Sequence, residues 1–536
     1  MSRFIYGLLL PSIFVVTLTA QQLAFPGAEG AGRFAWGGRG GQVIEVTNLN
    51  DSGPGSLREA LGTPGKRTVV FRVAGTIRLE SQLSITQDSV TVAGQTAPGE
   101  GITLRGYTLR VMANEVVIRY IRSRVGAESG KSVDAMSGKN IHNVIIDHCT
   151  ASWSVDEVAS FYDNTNFTMQ WCIISEALHN SVHYKERAHG FGGIWGGENV
   201  SFHHNLLAHN NSRNPRMSRS MGPVDHRNNV IYNWHGNSSY GGEGGQFNLV
   251  NNFYKPGPAT KTKDRVIEPL YSLPDGGWGT FYVNGNYIVG AEAVNQDNWN
   301  GGVQNAKQSD VRAYEAYPFA PVTTHAPEVA YELVLADAGA SAVRDTIDRR
   351  IVRETRDGIA TFGGSYVGPE RGILDSPEDC EGWPDLETGE AVQDNDHDGM
   401  ADGWEIINGF DAEDGSDHKL DADGDGYSNL EEYLHELCIR DDYLAAPGNL
   451  ILKTLDSSSI HVRWAEAVSD ETGFRIERAI SKDGPFESVG KASANDSVFT
   501  DSGLEAETLY YYRVFAVRDE LESIPTATQS VEIGSN

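Results

Sequence analysis

Two acidic clusters and an arginine-rich turn hold the residue types that could do chemistry. Asp134 stands in Val-Asp-Ala-Met at 133–136, Asp156 and Glu157 in Trp-Ser-Val-Asp-Glu at 153–157, and Arg213 and Arg216 in Ser-Arg-Asn-Pro-Arg at 212–216. Carboxylates brought together repel unless a cation joins them, and an oxygen-only ligand set suits a hard ion, calcium above all. Basic side chains collect nearby, at Lys185, Arg187, Arg213, Arg216, Arg219 and Arg227, in a chain of formal net charge −30. That local excess could bind an anionic ligand, although any one of these charges also reads as solvated surface. The acidic total excludes nucleic acid and anionic lipid as partners, since both favour a basic face.

A repeat must position these residues. Segments beginning at Val116, Val144, Phe167, Val200, Val224, Phe247 and Phe281 align, with a second apolar column at Ile118, Ile146, Met169, Phe202, His226, Leu249 and Val283. The alternation is that of a strand with one buried face. A third column reads Ile121, Cys149, Cys172, Asn205, Asn229, Asn252 and Asn286. Strands returning every 23 to 34 residues, with few hairpin signals, predict a solenoid, a parallel β-helix whose stacked asparagines form a ladder. Cys149 to Cys172 fixes one turn at 23 residues, and Asp134 plus 23 is Glu157, so the two carboxylates should lie on neighbouring turns.

The start of the chain, an apolar stretch from Phe4 to Val16 ending at Thr19-Ala20, reads as a secretory leader over 1–20. A secreted protein is expected, extracellular or periplasmic, with no membrane span, because the stretch falls short of the ~20 residues that cross a bilayer. At 536 residues two or three units are expected. The solenoid domain should span 21–375, its open end capped by the glycine-dense stretch Ala24 to Leu61 with a short helix at Leu57 to Leu61. A single helical run from Tyr331 to Arg353 should pack along its side.

Between 376 and 442 two motifs have calcium-loop spacing. The first places Asp394, Asp396, Asp398, Met400, Asp402 and Glu405 at positions 1, 3, 5, 7, 9 and 12, and the second Asp421, Asp423, Asp425, Tyr427, Asn429 and Glu432. Position 7 ligates through its backbone carbonyl. Cys380 and Cys438 bracket this segment and are expected to form a disulfide, with Cys149 and Cys172 reduced in the solenoid. From 443 to 536 short alternating strands such as Ile460–Trp464 and Tyr510–Ala516 predict a small β-sandwich.

Four motifs in order, Asp134-Ala-Met, Val144-Ile-Ile-Asp-His-Cys149, Val200-Ser-Phe-His-His-Asn205 and Ser212-Arg-Asn-Pro-Arg216, resemble the pectate lyases of polysaccharide lyase family one. The resemblance is specific over Ala24 to Tyr254, and the region after Phe281 looks like that of secreted bacterial members. It implies an all-β, right-handed parallel β-helix that binds Ca2+ and cleaves pectate, the acidic plant cell-wall polysaccharide, by β-elimination as a monomer. Asp134 matches a calcium-ligating aspartate, Glu157 and Asp156 fall where the next acidic ligands lie, and Arg213 matches the catalytic base. Lys185, Arg216 and Arg219 are the substrate-binding candidates, with Arg187, His179 and His189 also in the lysine's window. The pattern departs at Ser218, where a second arginine is expected, and at Ser160, where an acid four after Asp156 would stand. His203 and His204 are rival bases; the columns place His203 beside Asp147, Gln170 and Arg227 in a structural role, and His226 in the core. The 376–442 segment resembles dockerin or thrombospondin type-3 repeats, and Trp464, Leu504 and Tyr510 resemble a fibronectin type III domain. A non-catalytic pectin-binding solenoid and a hydrolase on the same fold are the alternatives.

Overall fold

The computed structural model describes residues 21–183, 188–465, 471–494 and 496–534, so the leader at 1–20 and Lys185 fall outside the described residues. The seven aligned segments stack in parallel, each leading residue opposite the next from Val116 to Phe281. Every side chain of the first two columns is buried, His226 included, because alternation turns one side of each strand inward. His226 also donates nothing to charge chemistry: burial brings it down to about 3.

The result is a parallel β-solenoid with three faces. One face runs from Gln42–Val46 through His142–Asp147 and Val224–Arg227 to Thr280–Asn284. A second is a nine-stranded sheet from Gly75–Arg78 to Tyr287–Ile288. The third runs from Leu83–Ile85 through Met136–Lys139 and Arg216–Met217 to Ile267–Pro269. Two long strands, Ala159–Gln170 and Ile194–His203, pass from the third face into the first and fuse them.

The asparagine ladder lies in the bend between the first and second faces. Side-chain amides step from Asn205 to Asn229 at 2.9 Å, to Asn252 at 3.1 Å and to Asn286 at 2.8 Å. Asn298 adds a rung at 3.0 Å from outside the repeat. A second ladder precedes the first face, where Asn199 donates to Asn166 at 2.7 Å and Asn166 to Asn143 at 3.0 Å. All three of these asparagines sit at φ between 52 and 54, the left-handed region that asparagine tolerates.

Three expectations are corrected. Of the glycine-dense stretch, only the helix Leu57–Gly62 caps the solenoid, held by Ser56 and burying Leu57, Ala60 and Leu61. Residues 24–41 instead cover the outside of the first face, where Val117 and Ile145 point outward and need shielding. There Gly32 N donates to Thr168 Oγ1 at 2.8 Å, and a Cβ on Gly32 would lie 2.2 Å from Val144 O. The expected single helix is two, Pro327–Asp337 and Thr346–Asp357, parted at Gly339 with φ 85. The second docks on the second face through Arg124 to Asp348 at 2.7 Å and Arg350 to Glu176 at 2.7 Å. Finally, all four cysteines are free. Cys380 packs with Trp153 and Leu374, whereas Cys438 lines a cavity with Tyr120 and His148, so residues that bracket a segment in sequence end in different places.

The segment from 394 to 437 lies on the first turns, where Met400, Leu430, Tyr433 and Leu434 pack on Ala93 and Arg39 pairs with Glu431 at 2.7 Å. The C-terminal sandwich packs a three-stranded sheet on a five-stranded one around Trp464, Phe474, Ile476 and Tyr512. Tyr510 Oη accepts from Glu505 N at 3.0 Å, as a tyrosine corner does. Among the described residues no helix is long and apolar enough to cross a membrane.

Candidate functional site

The acids and the arginine meet where the chain enters the third face. Met136 pairs with Ala159, which sets Asp134 over Glu157 on the next turn, and Glu157 N donates to Asp134 Oδ1 at 3.1 Å. The spacing read from Cys149 to Cys172 therefore holds across the bend as well. Parallel bridges continue the column from Glu157 to Phe191 and from Phe191 to Ser212. Oxygens of Asp134, Asp156 and Glu157 lie within 4.8 Å of one another. Arg213, at φ 58, reaches back over the Phe191 ring, its guanidinium carbon 4.4 Å from the centroid, and pairs with Glu157 Oε1.

The electrostatics differ within the cluster. Desolvation, then Glu157 and Asp156, hold the Asp134 carboxyl well above the usual carboxylate range. Burial raises Asp156 too, but His189 and His183 bring it down to about 2. Burial and the neighbouring acids oppose ionisation of Asp134, an opposition that a cation bound among the three carboxylates would relieve.

Among the described residues the other basic candidates are paired with neighbours, Lys185 and Arg187 lying outside them. Arg216 Nη2 holds Glu243 at 2.8 and 3.1 Å, one strand along the third face from Arg213's turn. Arg219 faces Asp275 at 3.2 Å and is largely exposed, away from the acids. Arg227 pairs with Asp225 at 2.9 Å on the first face. His203 and His204 are fully buried there, their Nδ1 atoms 3.0 Å apart, beyond reach of the acid cluster. His183 was not singled out by sequence; it and His189 flank the basic pair at 185 and 187, a spacing that carries no motif by itself.

In the 394–405 loop, oxygens of Asp394, Asp396 and Asp398 converge, and Asp398 and Glu405 converge with Asp417. Asp417 lies between the two motifs and has no signal in their spacing. Desolvation first, then the neighbouring acids, push Asp398 and Glu405 up to about 7. Both carboxylate oxygens of Glu405, with Asp394 Oδ1, Asp396 Oδ2 and Asp417 Oδ1, are buried without hydrogen bonds, so these residues fit a cation. Asp402 Oδ1 accepts from Asn395 N at 2.8 Å, and the Met400 side chain is in the packing against Ala93. In the second loop Asp421, Asp423 and Asp425 converge at the surface, and burial pushes Glu432 up to about 7. Asn429 Nδ2 donates to Asp417 O at 2.9 Å, linking the loops, and the Tyr427 ring lies beside Arg39.

Fold and site together define a β-solenoid protein with a cation-ready acid cluster on one face. Comparison with known proteins gives the family. Two relatives named "Probable pectate lyase C" align over most of their length: that of Aspergillus flavus is 34% identical over 440 residues, 80% of this chain and 97% of the relative, and that of Emericella nidulans is 35% identical over 435 residues, 78% and 94%. The chain belongs to the pectate lyase family. These relatives are fungal, whereas the region after Phe281 had suggested bacterial members. The fibronectin type III domain profile matches residues 445–530. The crystal structure of Jun a 1, the major allergen from cedar pollen, aligns with 58% of this chain and 92% of its own at 18% identity, with a TM-score of 0.42.

Proposed function

We propose that this chain is a secreted, calcium-dependent pectate lyase that cleaves α-1,4-linked polygalacturonate by β-elimination, leaving 4,5-unsaturated ends. The observation that carries the reading is the column in which Asp134 and Glu157 stack on adjacent turns and Arg213 reaches them over Phe191. Asp134, Asp156 and Glu157 would hold the ion together with the uronate carboxylate. Bound there, calcium would withdraw charge from that carboxylate and so stabilise negative charge developing at C5.

In this reading Arg213 takes the C5 proton, and it must first give up its own proton so that a neutral guanidine is the acceptor. Its guanidinium is oriented by Phe191 and held by Glu157, so the base role requires that Glu157 turn to another partner. As the C5–H bond opens, the 4,5 double bond forms, the C4–O4 bond breaks, and the departing O4 takes a proton from solvent water. Arg216 and Lys185 would bind neighbouring uronates. The two loops at 394–405 and 421–432 would bind calcium for stability, the first with Asp417 as an added ligand.

The test is the initial rate of unsaturated product, read by its ultraviolet absorbance, against calcium concentration. Arg213→Lys should lose roughly 100- to 10,000-fold in turnover with substrate still bound and no recovery at high calcium. Asp134→Ala should lose activity that high calcium partly restores. Full activity in the Arg213 variant would remove its role as base, and saturated products alone would indicate a hydrolase.

A further inference from the structure

Beside the oxygen cluster lies a second donor set of different chemistry. His183 and His189, 4% and 2% exposed, stack face to face with ring centroids 4.1 Å apart and planes 14° from parallel. Both turn Nε2 toward one atom, Asp156 Oδ1, at 3.5 Å from His183 and 2.9 Å from His189. His189 Nε2 also lies 3.6 Å from Glu157 Oε1. At 2.9 Å from Asp156, His189 Nε2 is still outside hydrogen-bond geometry, and Nδ1 of the same buried ring has no hydrogen-bond partner. The ring is fixed in place: His189 N donates to His179 O at 2.8 Å, and Phe191 packs on it at 3.9 Å.

We propose that His183, His189 and Asp156, with Glu157 alongside, bind a divalent transition metal of the zinc, cobalt and nickel class. Imidazole nitrogens with one carboxylate select such ions over calcium, which takes oxygen. The separations fit: bonds of ~2.0–2.1 Å in a tetrahedral site put neighbouring ligand atoms about 3.3 Å apart, and the observed values of 2.9, 3.5 and 3.6 Å bracket that edge. Asp156 belongs to both sets, so an ion held by the histidines would take a ligand from the calcium cluster and lower calcium-dependent turnover.

The probe is cobalt(II), added to the calcium-free full-length protein and followed by the intense visible absorption of a four-coordinate site with nitrogen ligands, which six-coordinate oxygen sites do not give. Wild type should bind one equivalent, which zinc displaces. His183→Gln and His189→Gln should each weaken binding by more than the roughly 10- to 100-fold that loss of an outer-shell partner costs, with unchanged melting temperature. If either variant fails to fold, Asp156→Asn supplies the second reading and should abolish the spectrum. Absence of cobalt binding, or binding that survives these substitutions, overturns the site. The inference stands apart from the lyase reading: turnover in calcium alone, measured on the same samples, tests that reading without touching this one.

Discussion

Two asparagine ladders of the same chemistry but different burial make a sharp energetic test. Asn229 is fully buried; its Oδ1 accepts from Asn205 N at 3.0 Å and from Asn205 Nδ2 at 2.9 Å, and its Nδ2 donates to Phe202 O at 2.9 Å. Asn229→Ala strands the Asn205 N–H in the bend, which costs about 1–3 kcal/mol, and leaves a small polar void. The total expected is on the order of 2–5 kcal/mol. Asn166 makes two ladder bonds of equal kind, to Asn143 at 3.0 Å and from Asn199 at 2.7 Å, but at the surface. Glycine is the fair replacement there, because φ is 52 and alanine would add left-handed strain. Water can take over both bonds, so Asn166→Gly should cost under about 1 kcal/mol. Urea unfolding of the two variants, compared at unchanged slope, reads the difference. Equal losses would refute the argument that burial, and not the ladder geometry, sets the cost.

Further tests follow from the same structure. Burial opposes charge on His148, yet Asp147 at 2.8 Å and Asp337 at 3.1 Å push it up to about 9. A histidine raised above its unfolded value near 6.5 stabilises fully below that pH and loses the contribution as pH rises through about 9, a change on the order of 3 kcal/mol. Melting temperature should therefore fall over that window in wild type and less in His148→Gln; equal slopes would dismiss the ion pairs as the cause. Asp394→Ala and Asp421→Ala should shrink the rise in melting temperature produced by calcium while leaving turnover of the folded protein nearly intact. Because Asp398 and Glu405 must ionise from about 7 to bind, that rise should be larger well above pH 7 than well below it. Thiol titration after denaturation should find four free thiols, and two would restore the Cys380–Cys438 bond.

The sequence by itself determined the solenoid, because period-two alternation and a repeat of the same columns leave one way to bury all seven strands. It also placed Asp134 over Glu157, since a turn length measured at the cysteines must hold for every residue in that coil. It brought the acids of 394–405 together through their spacing and gave the C-terminal sandwich from Trp464 and Tyr510. Tertiary structure alone decided what depends on where coils and insertions meet. Arg213 comes to Glu157 from two turns away, through an arginine long enough to span Phe191. His183 and His189 converge on Asp156 from an inserted loop that lengthens its turn, from Phe167 to Val200, to 33 residues, so no column could align them. Asp417 joins the acids of the 394–405 loop from between motifs, and Cys380 and Cys438 part because the chain between them packs on the first turns. Periodicity fixes neighbours within the stack, whereas contacts made by long loops are set by packing, which local pattern does not encode.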